Sequence, residues 1–130
     1  MGPHVLIEPL PMHRDARGSV VEPLAPEGLP AQRNVHVVLT EPGSIRGNHY
    51  HERGTEVLTV FGPARVRTRA GSEIRDTIVP EGEAYRFSIP PGVAHAIQNI
   101  GTQPIVLVAF NTEAHDPEHP DVVREVLLKN

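Results

Sequence analysis

Proline and glycine interrupt this chain so often that it has little room for long helices. The sequence contains 14 prolines and 11 glycines among its 130 residues, and both residues favour turns between short segments. About eight or more segments of strand length follow one another, with turn signals roughly every 8–12 residues, which is typical of β-sandwiches and barrels. A chain of this length is expected to form one all-β domain, residues 1–130.

The apolar patterning places the strands. The predicted strands are residues 19–22, 35–40, 56–61, 64–69, 73–79, 84–89, 93–100 and 105–110. The segment 64–69 alternates small or apolar residues with arginine, which is typical of a strand with one face in the core. The segment 105–110 is apolar throughout, which predicts burial on both faces. Residues 23–30 are expected to form a loop, and residues 121–128 a short helix or a strand.

Charge and cysteine content exclude several classes of function. The formal net charge is −4 and no run of basic residues is present, so nucleic acid and anionic membranes are poor partners. The chain has no cysteine, which excludes disulfides, thiolate metal sites and cysteine nucleophiles. No signal-peptide pattern is found, and no apolar run approaches the roughly 20 residues of a membrane span. We therefore expect a cytoplasmic protein.

The densest polar cluster contains His49 and His51 and is followed by Glu56. In a strand these two histidines point to the same face, because side chains alternate with a period of two. Glu56 can return from the adjoining strand, and His95 follows a tight Pro-Pro-Gly turn that can direct it into the same cavity. Imidazole and carboxylate are good ligands for Zn, Mn, Fe or Ni. Three histidines and one glutamate leave one or two metal positions open, as in a catalytic site.

An isolated His-x-His pair is a weak signal, because it often occurs by chance. The other histidines are expected to lie at the surface or to form ordinary hydrogen bonds; they are His4, His13, His36, His115 and His119. The metal hypothesis therefore depends on reading the two histidines together with Glu56 and His95.

Read together, these residues resemble the two motifs of the cupin superfamily. The first motif, which orders Gly, His-x-His, Glu and Gly, is matched by Gly43, His49, His51, Glu56 and Gly62. The second motif, which orders Pro-x-Gly, His and Asn, is matched by Pro90, Gly92, His95 and Asn99. The resemblance implies a double-stranded β-helix, or jelly-roll barrel. One departure is that five residues separate Glu56 from Gly62, where the family usually has six, so Thr55 is an alternative occupant of the acidic ligand's position.

A narrower resemblance is to cupins that act on nucleotide-linked keto sugars. Residues 15–18 (D-A-R-G) and 46–51 (R-G-N-H-Y-H) are similar to elements of dTDP-4-dehydrorhamnose 3,5-epimerases and sugar 3,4-ketoisomerases. Residues 46–51, 90–101 and 116–121 (D-P-E-H-P-D) are also similar to the C-terminal cupin domain of bifunctional capsular polysaccharide enzymes that epimerise and then reduce a UDP-linked keto sugar. No reductase motif of the G-x-G-x-x-G type is present, so any reduction would need a separate reductase.

The resemblance implies an epimerase or isomerase of a nucleotide-linked 4-keto sugar. Such a reaction needs a base, a group that stabilises the enolate oxygen, and an acid. A divalent metal, zinc first and Fe, Mn or Ni as alternatives, would polarise the carbonyl as a Lewis acid. In metal-free relatives the histidine of R-G-x-H is the base, and His49 holds that position. His49 cannot be ligand and base at once, and the three histidines with Glu56 favour the metal.

Three further residues are candidates for proton donation or for diphosphate binding. Tyr85 is a candidate acid. Arg17 and Arg46 are candidates for binding the diphosphate, because a guanidinium binds phosphate in bidentate fashion; a surface salt bridge is the alternative for both.

Two other functions stay open at this stage. A cupin dioxygenase with Fe would use the same donor set, and a non-catalytic cupin would bind a sugar or a metal for a partner. Binding of a nucleotide sugar would distinguish the epimerase from a dioxygenase that acts on a small substrate. The resemblance also implies a homodimer.

Overall fold

The computed structural model describes residues 4–130, so the first three residues of the expected single domain lie outside the described residues. The described chain forms twelve strands and one 3-10 helix, Pro26–Ala31. The strands are β1 (Leu6–Pro9), β2 (His13–Asp15), β3 (Gly18–Val20), β4 (Asn34–Thr40), β5 (Ile45–His51), β6 (Glu56–Phe61), β7 (Ala64–Ala70), β8 (Glu73–Val79), β9 (Ala84–Ile89), β10 (Ala94–Asn99), β11 (Ile105–Asn111) and β12 (Val122–Arg124).

Ten of these strands form two five-stranded antiparallel sheets. One sheet has the order β1-β9-β6-β11-β4, and the other has the order β12-β5-β10-β7-β8. The inward side chains of both sheets form one apolar core, which includes Val60, Val66, Phe87, Ile97 and Leu107. Sheets that face each other over a shared core are a jelly-roll arrangement, and the predicted all-β cupin fold is confirmed.

The N-terminal third differs from the sequence-based prediction in three places. Strand β1 was not among the predicted strands. Strand β2 was not predicted; it pairs with β3 as a separate hairpin, with Asp15 opposite Gly18. The expected loop over residues 23–30 contains most of the 3-10 helix. All three elements are three to six residues long, too short to produce a periodic pattern.

Two predictions near the C-terminus are resolved or corrected. The segment 121–128 contributes a strand, β12, and not a helix. Strand β11 is fully buried on one face only: Ile105 and Leu107 are buried, whereas Val106 and Val108 are half-buried on the outer face. The reason is that Val106 lies opposite Leu39 of the edge strand β4, and the Leu39 side chain is 64% exposed. The apolar outer face of β11 is therefore partly open to solvent, and the prediction that this strand is buried on both faces is wrong.

A β-bulge in β5 prepares the position of His49. The pairing with β10 skips Asn48, because Ala96 pairs with Gly47 and His95 pairs with His49. Gly47 (φ 82°) and Asn48 (φ 57°) both have left-handed backbones. A Cβ on Gly47 would lie 2.7 Å from the His95 carbonyl oxygen, so β5 and β10 approach this closely only with glycine there.

The side chain of Asn48 ties the bulge to the C-terminal segment. Its Oδ1 accepts the backbone N–H groups of Leu127 (2.9 Å) and Leu128 (3.1 Å), and its Nδ2 donates to the Leu128 carbonyl oxygen (3.0 Å). The Asn48 carbonyl oxygen accepts the N–H of Glu125 at 2.8 Å. The strand that carries His49 is therefore held from both sides, by β10 and by residues 125–128.

Among residues 4–130, no helix has the length and apolar character that crossing a membrane requires.

Candidate metal centre and adjoining cavity

Four side chains from three different strands meet between the two sheets. His49 and His51 extend from β5, His95 from β10 and Glu56 from the start of β6, and one ligand atom from each lies within 4.8 Å of those of the others. His95 Nε2 is 2.8 Å from one Glu56 oxygen and His51 Nε2 is 3.4 Å from the other. The structure thus brings together all four residues that the spacing predicted, and Glu56, rather than Thr55, faces the histidines.

The turn before β10 helps to aim this cluster. Gly92, which has a left-handed backbone (φ 82°), donates its N–H to the His51 carbonyl oxygen at 2.7 Å. The Pro-Pro-Gly turn is therefore fixed to the end of β5, and His95 enters β10 directly opposite His49.

The donor atoms fit a divalent cation. His51 Nε2 and His95 Nε2 are buried, and within residues 4–130 neither has a hydrogen-bond partner. The 2.8 Å contact between His95 and Glu56 is close but not aligned as a hydrogen bond. Ligands with bonds of about 2.0–2.1 Å to a tetrahedral ion lie about 3.3 Å apart, close to the spacing around Glu56. A bound cation would give these buried nitrogen atoms the partner that they lack.

The electrostatics of the cluster favour an ionised Glu56 and a neutral His49. Burial disfavours the charged form of Glu56, but the neighbouring His51 and His95 outweigh burial and lower the pKa of the carboxyl. Burial, with the charge of His95, lowers the pKa of His49 to about 4. Burial also acts against protonation of His51, yet Glu56 and Asp121 outweigh it and raise its pKa. At neutral pH, Glu56 is therefore ionised and His49 is a neutral imidazole.

The outer ring nitrogens of two histidines also have partners. His95 Nδ1 lies 3.1 Å from the Val93 carbonyl oxygen, and His51 Nδ1 lies 3.3 Å from Asp121 Oδ2. Such contacts set which ring nitrogen carries the proton and leave Nε2 free to bind a metal. Asp121 was not among the predicted site residues. It is 70 residues from His51 in the sequence, and only the pairing of β12 with β5 brings the two residues together.

A cavity of about 210 Å³ adjoins His51 and Glu56 and is bounded by β4, β11 and the segment 113–122. Its carboxylates are Glu56, Glu113, Asp116 and Asp121. Its amide and remaining imidazole groups are Asn34, Asn111, His36 and His115. His36 and His115 are exposed, as expected, and both also line this cavity. Neither lysine nor arginine is among the described residues that line it.

Tyr85 lies away from the histidine cluster. It pairs with Val60 on β6 and packs against the apolar core. Glu56 is four residues from Val60 along the same strand, a distance of about 13 Å at a rise of about 3.3 Å per residue. The structure therefore does not bring Tyr85 together with His49.

The two candidate arginines are exposed and have local partners. Arg17, in the turn between β2 and β3, has a side chain that is 91% exposed and pairs with Asp15 at 2.6 Å. Arg46 is exposed on β5 and donates a hydrogen bond to the Leu39 carbonyl oxygen at 3.1 Å. Neither lines the cavity beside His51.

Comparison with known proteins places this architecture in a family. Residues 13–123 match the family described as the polysaccharide biosynthesis C-terminal domain. The chain is 37% identical over 119 residues to the UDP-2-acetamido-2,6-beta-L-arabino-hexul-4-ose reductase of Pseudomonas aeruginosa, with 86% of this chain and 30% of the relative covered. The chain thus spans about 30% of the length of the curated relative that it matches.

Solved structures with the same fold fall into two groups. The capsular polysaccharide assembling protein CapF of Staphylococcus aureus matches with a TM-score of 0.68 and 31% identity, over 92% of this chain and 33% of that protein. The sugar 3,4-ketoisomerase QdtA of Thermoanaerobacterium thermosaccharolyticum, solved with TDP, matches with a TM-score of 0.72 and 18% identity, over 93% of this chain and 88% of that protein.

A dTDP sugar isomerase from Desulfovibrio desulfuricans matches with a TM-score of 0.77 and 12% identity, over 95% of this chain and 84% of that protein. At these lower identities the likeness to both isomerases concerns the fold. The match over residues 13–123 covers most of the chain, and the chain therefore belongs to the polysaccharide biosynthesis C-terminal domain family.

Proposed function

We propose that this domain is a metal-binding epimerase or isomerase of a nucleotide-linked 4-keto sugar in polysaccharide biosynthesis. The observation that carries the proposal is the group of three histidines and one glutamate beside a cavity that also presents amide, imidazole and carboxylate groups, in a member of a polysaccharide biosynthesis family. Zinc is the first candidate for the ion, and Fe, Mn and Ni share the preference for these donors.

Each part of the site has a role in this proposal. His49, His51, Glu56 and His95 would hold the ion. When bound, a divalent ion would polarise the C4 carbonyl of the sugar and make the neighbouring C–H more acidic, and a carboxylate or imidazole that lines the cavity would accept that proton. If His49 is not a ligand, its neutral ring would instead accept the proton from carbon, and the two roles are exclusive for this residue.

The cavity suits the sugar ring better than the diphosphate. Its volume of about 210 Å³ is below the roughly 300–1,000 Å³ typical of pockets that hold drug-sized ligands, so it would take part of a nucleotide sugar. Amides, imidazoles and carboxylates can hydrogen-bond sugar hydroxyls, whereas the carboxylates would repel a diphosphate. We therefore propose that the diphosphate stays outside the cavity, and Arg17 and Arg46 remain candidates to bind it there.

Three further proposals accompany this function: the domain forms a homodimer, it acts in the cytoplasm, and a reductase uses the epimerised product. The alternative functions are an Fe dioxygenase, which the same donor set would serve, and a non-catalytic binding domain.

Metal content and nucleotide binding together test the proposal. Elemental analysis of protein prepared without a His tag or chelator is expected to give about one equivalent of zinc, and UDP- or dTDP-sugars are expected to raise the thermal midpoint. Stoichiometric iron without nucleotide binding would favour the dioxygenase. Folded protein that takes up no metal after reconstitution would overturn the metal mechanism and leave His49 as the candidate base.

A further inference from the structure

Asp121 lies next to the metal cluster although it is not one of its four members. It immediately precedes β12, whose first residue Val122 pairs with His51. Its side chain is only 11% exposed, and Oδ2 lies 3.3 Å from His51 Nδ1. A buried carboxylate needs partners for its lone pairs, so the groups that hold Asp121 in place indicate what the side chain does.

Backbone groups of the β5–β6 connection hold this carboxylate. Oδ1 accepts the N–H of Arg53 at 2.7 Å, and Oδ2 accepts the N–H of Gly54 at 3.1 Å. A Cβ on Gly54 would lie 2.9 Å from Oδ2, so the close approach depends on glycine. These two N–H donors fix the carboxylate in place. A carboxylate can only accept hydrogen bonds.

The His51 ring lies between two carboxylates, one at each nitrogen. Glu56 is 3.4 Å from Nε2 and Asp121 is 3.3 Å from Nδ1. A neutral imidazole carries one proton, and a hydrogen bond to Asp121 places that proton on Nδ1. The amide of Asn111 also approaches Nδ1, at the longer distance of 3.5 Å.

We propose that Asp121 is a positioning residue that keeps the proton of His51 on Nδ1 and orients Nε2 toward the metal. This inference rests on the metal-binding function proposed above. For His95 a backbone carbonyl, that of Val93, serves the same purpose. The two histidines thus have equivalent orienting contacts, but only the one at His51 can be removed by a side-chain substitution.

The test compares zinc affinity in the wild type, Asp121→Asn and Asp76→Asn, measured by competition with a chelator of known affinity. Asp76→Asn is the matched control, because it makes the same chemical change at a surface carboxylate whose partners are Arg65 and Arg67. Loss of such an orienting contact typically weakens metal binding about 10–100-fold. We expect that loss in Asp121→Asn and an affinity within about twofold of the wild type in Asp76→Asn.

A second measurement separates orientation from a merely structural role. Long-range ¹H–¹⁵N correlation spectra of the metal-free protein, recorded at a pH where His51 is neutral, report which ring nitrogen carries the proton. The wild type is expected to carry it on Nδ1, and Asp121→Asn is expected to shift the population toward Nε2. Loss of the Arg53 and Gly54 hydrogen bonds would lower thermal stability but would not by itself move this proton.

The outcomes separate this inference from the proposed function. If the wild type binds zinc and Asp121→Asn binds it equally well, the positioning role is wrong while the metal site stands. If the wild type binds no metal, the proposed metal function is wrong, and the spectra still decide whether Asp121 sets the proton position. If Asp121→Asn does not fold, a proton found on Nε2 in the wild type would overturn the inference.

Discussion

Glu56 and His95 face each other from opposite sheets, with 2.8 Å between Oε2 and Nε2. Glu56 belongs to β6 in one sheet, and His95 belongs to β10 in the other. The jelly-roll topology, rather than proximity in sequence, makes this contact.

Removal of metal is expected to lower the thermal midpoint of unfolding. A ligand that binds only the folded state stabilises it by about 2.7 kcal/mol when its concentration is 100 times Kd. Calorimetry of zinc-loaded and chelator-treated protein should therefore give a difference of several degrees. His95→Ala and Glu56→Gln should abolish this difference, and a midpoint that is the same with and without zinc in the wild type would contradict the four-residue site.

Substitution of His49 distinguishes its two exclusive roles. If His49 is a ligand, His49→Asn will weaken zinc binding together with His51→Asn. If it is the base, His49→Asn will keep zinc but lose about 10²–10⁴-fold in proton exchange. We expect the ligand outcome, because His49 lies within the cluster that Glu56 and His95 define. Deuterium exchange from solvent into the substrate carbon, measured beside zinc content, gives the answer.

Tyr85→Phe is expected to leave turnover close to that of the wild type. Tyr85 pairs with Val60, which lies about 13 Å along β6 from Glu56 at about 3.3 Å per residue, and the ring packs against the core. The variant keeps the ring, so packing is preserved. A fall in kcat of about 100-fold or more, the size of a general-acid effect, would restore Tyr85 as the acid.

Asp76 is expected to contribute to the acid sensitivity of folding. Its hydrogen bond from Arg67, assisted by Arg65, lowers the pKa of its carboxyl to about 2, below the unfolded value of about 3.9. A lowered pKa contributes stability that is complete above the unfolded pKa and is lost as pH falls toward the folded one. The stability difference between wild type and Asp76→Asn should therefore shrink from pH 5 to about pH 2, as urea midpoints would measure. A difference that stays constant over this range would contradict the assignment.

Asn48 supports two separable effects on stability. Asn48→Gly keeps the left-handed backbone but removes three side-chain hydrogen bonds, which at about 1 kcal/mol each should cost about 1–3 kcal/mol. Asn48→Ala should cost about 1–2 kcal/mol more, because a Cβ is unfavourable at positive φ. Urea denaturation of the metal-free proteins measures both costs. Equal stability of the two variants would mean that the bulge relaxes.

The four cluster residues could be predicted because their spacing matches the two cupin motifs. Most strands could be predicted because turn residues mark where they begin and end. The sequence did not predict the contact between Asp121 and His51, since nothing in residues 116–121 indicates which strand they will contact. His36 and His115 are exposed, as expected, but the cavity that both line was not predicted, because they come from β4 and from the segment after β11 and only the assembled sheets bring them together. Contacts of this kind depend on topology and not on local pattern.

The division of the four-residue cluster between the sheets has a mechanical consequence. Three members belong to the sheet that contains β5 and β10, and Glu56 belongs to the opposite sheet. Any sliding or spreading of one sheet against the other would change the distances around Glu56 directly. An ion bound by all four residues would cross-link the two sheets. Movement of one sheet against the other would then change the coordination of the ion, so the reactivity of the centre and the stiffness of the barrel would vary together.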